Sequence, residues 1–350
     1  MPKIIARLNQ SFHTWLGLLL SLWMLLMAIT GTTLYFKSEL LQWLYPALHQ
    51  DAPLAQREVA SILDSLILKQ VDAYAYMPTD DAPWLEIVDS EKTHWYYTHQ
   101  GMVLERPLNS DYISLFVSLH HDLMLGETGK NLLGILGLAS LLLVVTGVIR
   151  WWPRHRISAR LFKIHWFSLR SRKGLQTLGE LHKVSAVLLF VPIVLVLTTG
   201  TAMIYSSPVK SLLVALLPQQ GNQPTVSATH ISYDNWQDKF TAASELLDGA
   251  SPRLVYLSAN KLRLKHDTEW HPNGRNYVSF SSAGKITAAE NVSETSLGNQ
   301  LSHTIYPLHV AAVGGTAFLF LATLTGLTLI LIPVTGIMYW CKRRQYQVKR

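Results

Sequence analysis

The sequence contains little cysteine and little charge. Cys341 is the only cysteine among 350 residues, which excludes an intrachain disulfide, a thiolate zinc site, an iron–sulfur cluster and a covalent c-type haem attachment. Charged residues make up 15% of the chain, whereas an ordinary soluble domain has about 25%. A Gly-x-Gly-x-x-Gly fingerprint is also missing, so the chain has no recognisable dinucleotide-binding motif.

Four long apolar stretches explain the low charge. Each is at least as long as the roughly 20 residues that cross the hydrocarbon core of a bilayer, and they run over residues 15–36, 132–152, 184–205 and 310–340. The first follows Lys3 and Arg7, as a signal peptide would, but it is too long for a signal-peptide core, and no small-x-small cleavage site precedes Lys37. We therefore predict four transmembrane helices, the first of them uncleaved.

Basic residues predict how these helices are oriented. The segment 153–181 has seven basic residues and one acidic residue, and the N-terminal head and C-terminal tail are also basic. The segment 37–119 has 12 acidic and 5 basic residues, and 206–308 has eight of each. Because positively charged loops stay in the cytoplasm, both termini are predicted there and both long segments outside. This topology accounts for the net charge of +7 better than nucleic-acid binding, the other interpretation of a basic chain.

The two halves of the chain repeat one another. Shifting the third span back by 169 residues and the fourth by 189 aligns these positions: His182 with His13, Thr199-Gly200 with Thr30-Gly31, His309 with His120, and Thr335-Gly336 with Thr146-Gly147. Shared histidines and Thr-Gly steps at fixed spacing are far rarer by chance than shared apolar residues. We therefore predict two parallel repeats, each built as span, outer segment and span.

The two outer segments also resemble each other. Each begins with an amphipathic helix, at 53–70 and at 234–247, and continues with short strand-like runs separated by turn signals. These runs are 73–77, 84–89 and 93–99 in the first segment, and 253–258, 261–266 and 277–281 in the second. The pattern predicts two small α+β domains outside the membrane.

Together these signals predict an α-helical membrane protein whose four transmembrane helices form a two-fold parallel repeat. The predicted parts are the cytoplasmic N-terminus and first helix (1–36), the first outer domain (37–119), the second helix (120–152), the basic cytoplasmic loop (153–181), the third helix (182–205), the second outer domain (206–308), and the fourth helix with the cytoplasmic tail (309–350).

Four histidines occupy repeat-equivalent positions near the start of a span. The chain direction predicts His13 and His182 at the cytoplasmic face, and His120 and His309 at the outer face. Ionisable side chains are costly inside a membrane and usually functional, and two facing imidazoles suit the axial ligation of a haem in a helical bundle. Zinc needs about four ligands at one centre, which favours haem. Histidines without any ligand are the remaining interpretation.

Several other residues lie near these histidines in the sequence. His121 competes with His120 as the outer ligand, although the repeat favours His120. Arg150 lies near the inner boundary, where it could pair with a haem propionate or extend toward the lipid headgroups. The Thr-Gly steps predict close helix packing alone. Candidates for substrate docking beside the outer pair are Tyr112, His121, His303 and Tyr306.

Three paired motifs resemble the PepSY-associated transmembrane family. They are LHHDLMLGETG with VVTGVIRWWPR, ELHKVSAV with TTGT, and YPLHVAAVGG with VTGIMYW, and their order covers nearly the whole chain. The resemblance implies that the outer segments are PepSY-like domains on the periplasmic side. It also implies similarity to FoxB-type ferric-siderophore reductases of the bacterial inner membrane, which hold two haems among four spans.

The resemblance implies a specific function. Two b-type haems per chain would pass electrons from a membrane quinol, or from a separate donor, to a ferric siderophore in the periplasm. Two other functions stay open. Parallel repeats are also found in permeases, although these spans lack the internal charges that would line a transport path. PepSY-like domains could instead regulate a peptidase or scaffold a partner protein.

Overall fold

The computed structural model describes residues 3–152, 159–218 and 231–348. Four basic residues used in the topology prediction, Arg154, Arg156, Lys349 and Arg350, lie outside these ranges. The chain divides into two compact units, which we call the helical unit and the sheet unit. The helical unit comprises Met1–Tyr35, Phe116–Tyr205 and Leu308–Arg350, and the sheet unit comprises Phe36–Leu115 and Ser206–Pro307.

The described ranges contain twelve α-helices and eight β-strands. The helices are α1 (Lys3–Leu34), α2 (Lys37–Leu44), α3 (Gln56–Leu68), α4 (Tyr112–Asp122), α5 (Gly126–Trp151), α6 (Gly174–Leu188), α7 (Phe190–Ile204), α8 (Ser206–Leu216), α9 (Trp236–Leu246), α10 (Leu297–Ser302), α11 (Ile305–His309) and α12 (Gly315–Val348). The strands are β1 (Ala73–Tyr76), β2 (Leu85–Asp89), β3 (His94–Thr98), β4 (Gly101–Arg106), β5 (Ser251–Tyr256), β6 (Lys261–Lys265), β7 (Asn276–Phe280) and β8 (Ile286–Glu290).

Three helices of the helical unit, α1, α5 and α12, are long and apolar enough to cross a membrane. The third predicted span differs, because it consists of two helices, α6 and α7, that meet at Leu189 with a bend of 70°. Pro192 explains the break, since it has no N–H for the carbonyl of Leu188 and its ring would clash with that carbonyl in a straight helix. The helical unit thus has three candidate spans, or four if the bent pair is one span, and the prediction of one continuous helix over 182–205 was wrong.

The helical unit has an apolar interior and an apolar exterior. Helix α1 packs against α5 and α12, α5 against α7, and α12 against α6. Leu20, Met24 and Ile193 are buried between these helices. On the outside, Leu19 is 77% exposed and Phe320 is 71% exposed. Such a surface suits a multi-pass membrane protein surrounded by lipid acyl chains.

Helices α5 and α12 begin after residues 120 and 309, where the second and fourth predicted parts of the membrane region start. His120 lies near the end of α4, and α5 starts only at Gly126. His309 is the last residue of α11, and α12 starts only at Gly315. Gly126 and Gly315 have left-handed φ values of 58° and 61°, which interrupt a right-handed helix. His120 and His309 therefore lie on short helices that precede α5 and α12.

The sheet unit contains a single antiparallel sheet with the strand order β4-β3-β2-β1-β5-β6-β7-β8. Strands β1 and β5 join its two halves, with Tyr74 opposite Tyr256 and Ala75 opposite Val255. The prediction of two separate α+β domains was therefore wrong. Each half alone would expose the edge of its first strand, and pairing these edges satisfies their N–H and C=O groups. Strands β4 and β8 were not predicted, because their burial does not alternate regularly.

One face of the sheet is covered by α3 and α9. Trp236 and Phe240 of α9, and Val59 and Leu63 of α3, are fully buried in the cluster that these helices form with the strands. Burying a Val, Leu or Phe side chain contributes about 1.5–3 kcal/mol relative to exposure. This cluster is therefore the main apolar core of the sheet unit.

The sheet also holds a buried carboxylate on β2. Glu86 accepts hydrogen bonds from His94 Nδ1 at 2.6 Å and from the Tyr96 hydroxyl at 3.0 Å, and Lys37 Nζ lies 3.7 Å away. Burial by itself raises the pKa of Glu86, but Lys37 and the two hydrogen bonds outweigh burial and lower the pKa to about 2. Glu86 is therefore a charged and fully partnered group, which ties β2 to β3 and to the start of α2.

Candidate functional site

Two pairs of imidazoles lie in the helical unit. His13 on α1 and His182 on α6 have ring centroids 6.4 Å apart, and their planes cross at 88°. His120 on α4 and His309 on α11 have ring centroids 6.2 Å apart, and their planes differ by 35°. The structure thus brings together the same two pairs that the repeat and the predicted depths suggested.

In the first half of the chain, each histidine contacts the threonine of a Thr-Gly step. His13 Nδ1 lies 2.9 Å from Thr146 Oγ1. His120 Nδ1 lies 3.0 Å from Thr30 Oγ1. The arrangement is reciprocal, because α1 carries one histidine and the threonine for the other, while α5 supplies the second threonine.

The second half of the chain repeats this arrangement. His309 Nδ1 lies 3.2 Å from Thr199 Oγ1, and His182 Nδ1 lies 3.4 Å from Thr335 Oγ1. His182 Nδ1 is also 2.9 Å from the carbonyl oxygen of Ile332. The prediction that the Thr-Gly steps serve helix packing alone was therefore wrong, since all four threonines contact a histidine.

The glycine of each Thr-Gly step lies against the same imidazole as its threonine. A methyl group added to the glycine would approach the Cε1 atom of that ring at these distances: 2.7 Å at Gly31, 2.9 Å at Gly200, 3.2 Å at Gly147 and 3.3 Å at Gly336. Carbon atoms in favourable contact are about 3.5–4.0 Å apart. Each imidazole therefore occupies space that a larger residue would fill.

The two remaining candidates near the histidine pairs have different positions. The His121 side chain is exposed and its ring centroid lies 6.2 Å from that of His120, with the planes tilted by 59°. The ring that faces His309 is that of His120. Arg150 is exposed, its Nη1 atom lies 3.3 Å from the carbonyl oxygen of Gln10, and its charge acts on both His13 and His182.

Tyr112 begins α4 and belongs to the sheet unit. Its side chain is 75% exposed and lines a pocket of about 510 Å³ together with Tyr45 and Asp111. Asp111 is held by Arg106, whose Nε atom lies 2.5 Å from Asp111 Oδ2. The wall of this pocket is thus fixed by an ion pair, and Tyr112 is its accessible aromatic group.

His303 and Tyr306 belong to a basic aromatic cluster in the sheet unit. The Tyr306 ring stacks on His271 with centroids 5.0 Å apart, and Arg263 Nη2 donates to the His271 ring at 3.1 Å. Burial, and after it Arg275 and Arg263, lower the pKa of His271 to about 2, and burial with Arg275 lowers that of His303 to about 4. Both imidazoles are therefore neutral near pH 7. Sequence analysis missed the two arginines, because basic residues on strands have no local signature of a site.

The chain matches a known family over most of its length. A family profile described as the PepSY-associated TM region matches residues 10–343. The chain belongs to the PepSY-associated transmembrane family. A comparison with curated proteins found no match. The matched range of this PepSY-associated transmembrane protein includes all four paired histidines and all four Thr-Gly steps.

Each imidazole pair of this PepSY-associated transmembrane protein has the spacing for one metal ion between two rings. A metal–imidazole bond of about 2.0 Å, with roughly 1.1 Å from the ring nitrogen to the ring centroid, places two trans centroids about 6.2 Å apart. The observed separations are 6.4 and 6.2 Å. Within the described ranges, no three or more His, Cys, Asp or Glu side chains converge on one point.

Proposed function

We propose that this protein is a di-haem reductase of the bacterial inner membrane, which delivers electrons to a ferric siderophore in the periplasm. In this proposal His13 with His182, and His120 with His309, are the axial ligands of two b-type haems. The observation that supports it most strongly is the facing imidazole pair, found twice, with centroid separations of 6.4 and 6.2 Å. A haem supplies four equatorial nitrogens and one-electron redox chemistry, which complements two protein ligands.

The residues around each pair support the binding of a flat, apolar cofactor. The Nδ1 atom of every imidazole is engaged by a threonine, which leaves Nε2 as the ring nitrogen for a metal. The glycine after each threonine lets the ring lie close against the helix, in space that a larger residue would fill. In the proposed site Arg150 is positioned to neutralise a propionate near the inner pair.

The distribution of charge supports a direction for electron delivery. The positive-inside rule predicts the segment 153–181 and both termini in the cytoplasm, so His13 and His182 are assigned to the inner face. His120 and His309 directly follow the two outer segments in the chain and are assigned to the periplasmic face. Since the sequence has no dinucleotide fingerprint, the electrons come from a membrane quinol or from a separate donor.

Ligand chemistry explains why reduction would release iron. Hydroxamate and catecholate oxygens are hard ligands that hold ferric iron far more strongly than ferrous iron. A bulky polar chelate of this kind cannot enter the hydrocarbon core and must dock on an exposed protein surface. His303 and Tyr306, which are partly exposed, offer aromatic faces for such a chelate, and Tyr112 and His121 are further docking candidates.

The cofactor part of this proposal is tested by an absorption spectrum and a pyridine haemochrome assay on the purified protein. We expect a Soret band, sharp reduced α and β bands, and about two haems per chain. A wild-type protein purified without haem would contradict the proposal and would leave the permease or scaffold functions.

The reductase part is tested in oriented vesicles. The haems are reduced beforehand, and a membrane-impermeant ferric siderophore is added to one side. We expect haem reoxidation when the sheet unit faces the siderophore. Reoxidation only in the opposite orientation would refute the direction, and no reaction in either orientation would refute the reductase function.

A further inference from the structure

The four threonines of the Thr-Gly steps have a common hydrogen-bonding pattern that goes beyond packing. We infer that they are positioning residues, which set the tautomer and the ring plane of each imidazole and so make the two haem centres electronically different. The inference rests on the proposed haem ligation. Its physical basis is the pattern of donors and acceptors around Nδ1, followed by the angles between the rings.

The first step concerns the hydroxyl hydrogen of each threonine. It is donated within the threonine's own helix, to a carbonyl oxygen three or four residues earlier. The distances from Oγ1 to this oxygen are 2.8 Å for Thr30 with Leu26, 2.7 Å for Thr146 with Leu143, 2.7 Å for Thr199 with Leu195, and 2.8 Å for Thr335 with Leu331. A hydroxyl has a single hydrogen. Toward the imidazole, each Oγ1 can therefore only accept.

The second step concerns the imidazole. Because the threonine oxygen accepts, Nδ1 must be the protonated nitrogen of the neutral ring. His182 Nδ1 has a second acceptor, the carbonyl oxygen of Ile332 at 2.9 Å, and a carbonyl can never donate. The lone pair of all four rings is thus on Nε2.

The third step concerns the ring planes. An imidazole held at Nδ1 by an acceptor, with a glycine against Cε1, has little freedom to rotate. The resulting angles differ between the pairs, since the planes cross at 88° for His13 and His182 but differ by only 35° for His120 and His309. His182 has the longest threonine contact of the four imidazoles, 3.4 Å from Nδ1 to Thr335 Oγ1. Its Nδ1 atom lies closer, at 2.9 Å, to the carbonyl oxygen of Ile332.

These angles have a spectroscopic consequence. Axial imidazole planes that are nearly parallel separate the energies of two iron d orbitals, whereas crossed planes leave them almost equal. The inner centre is therefore expected to give a strongly anisotropic low-spin electron paramagnetic resonance (EPR) signal. The outer centre is expected to give a rhombic low-spin signal with three resolved g values.

Valine substitutions test the inference, because valine keeps the shape of threonine but cannot accept a hydrogen bond. In the oxidised full-length protein, Thr146→Val should shift the strongly anisotropic signal and leave the rhombic one unchanged. Thr199→Val should shift only the rhombic signal. The unmutated centre in each variant reports that the protein is folded. The matched control is Thr325→Val, since Thr325 is buried in α12 and its hydroxyl donates to Leu321 in the same way.

Serine variants provide the second arm, because serine restores the hydroxyl without the methyl group. Thr199→Ser should return the rhombic signal to its wild-type g values. If wild-type protein with two haems gives a single type of signal, the inference is refuted. It is also refuted if Thr146→Val and Thr199→Val both give wild-type spectra. These outcomes differ from a haem-free wild-type protein, which would refute the proposed function itself.

Discussion

Adding one methyl group at Gly31 is a direct test of how tightly the outer imidazole is held. The new carbon would lie 2.7 Å from His120 Cε1 and 3.4 Å from both ring nitrogens. Favourable carbon contacts begin at about 3.5 Å, so the overlap at Cε1 is roughly 0.8 Å. The methyl carbon is bonded directly to the Cα atom in α1, so its position is set by the backbone and it cannot rotate away. We therefore expect the ring of His120 to move in Gly31→Ala.

The size of the effect follows from two opposing contributions. Overpacking of a filled interior costs about 1–3 kcal/mol, and alanine in place of glycine within a helix returns about 1 kcal/mol. The net change in stability is therefore small, on the order of 1 kcal/mol. A metal–nitrogen bond of about 2.0 Å tolerates only about 0.2 Å of error, so a ring shift of several tenths of an ångström should prevent binding of the haem proposed between His120 and His309.

The four glycines form a graded series that sharpens this test. Gly200→Ala, with a contact of 2.9 Å, should also lose outer haem, whereas Gly147→Ala and Gly336→Ala, at 3.2 and 3.3 Å, should keep most of the inner haem. Gly17→Ala is the control, since its methyl group would meet Leu143 at an ordinary 3.7 Å. Haem content by pyridine haemochrome and thermal unfolding are measured for all five variants. Equal haem content in Gly31→Ala and Gly17→Ala would refute this reasoning.

Four further predictions follow from the structure. His182→Ala should lose or convert one haem and keep the other, measured by haem content, while His121→Ala should keep both; full haem in His182→Ala would contradict the ligand assignment. Glu86 has a folded pKa of about 2, below its ordinary value of 4.5, so its contribution to stability is complete above about pH 4.5 and is lost as the pH falls toward 2. That contribution is up to about 3 kcal/mol, and Glu86→Gln should flatten the acid side of a plot of melting temperature against pH. Trp236→Ala should destabilise the sheet unit by about 3–5 kcal/mol, because it leaves a cavity at a fully buried site. An unchanged melting temperature in calorimetry would show that this core does not determine the stability of the sheet unit. Pro192→Ala restores a backbone N–H at the bend, and labels on α6 and α7 should report a straighter pair in distance measurements, whereas an unchanged 70° bend would assign the break to tertiary packing.

Much of the architecture was predictable because it depends on local patterns. Apolar runs of about 20 residues indicate membrane-spanning helices. A backbone in hydrocarbon must satisfy its hydrogen bonds within the protein, and a helix does so within a single segment. The alternation of residues in 73–77 and 261–266 indicated two of the strands, since side chains of a strand point to opposite faces in turn. The internal repeat also predicted which imidazole rings face each other, because equivalent positions in parallel repeats are expected at equal depth.

Other features have no local signature. The pairing of β1 with β5 joins residues about 180 positions apart, and nothing in either strand says which edge it will meet. The break at Leu189 was missed because Pro192 lies in a run whose composition is otherwise that of one continuous span, and proline in a membrane helix is often accommodated. The late starts of α5 and α12 depend on left-handed residues that the apolar pattern does not report.

The histidine sites also combine features that local sequence patterns predict with features that depend on the packing of distant segments. The repeat in the sequence identified the residues that can act chemically: four histidines at repeated positions and four Thr-Gly steps that the repeat also aligns. The contact between each Thr-Gly step and a histidine 90 to 153 residues away follows from the packing of the helices, as do the ring planes, which cross at 88° in one pair and differ by 35° in the other. The difference arises because the two kinds of feature depend on residues at different separations in the sequence. Hydrophobic periodicity records how each short segment meets its solvent, whereas a hydrogen bond between two helices and the angle of a ring depend on packing distances that no single segment contains.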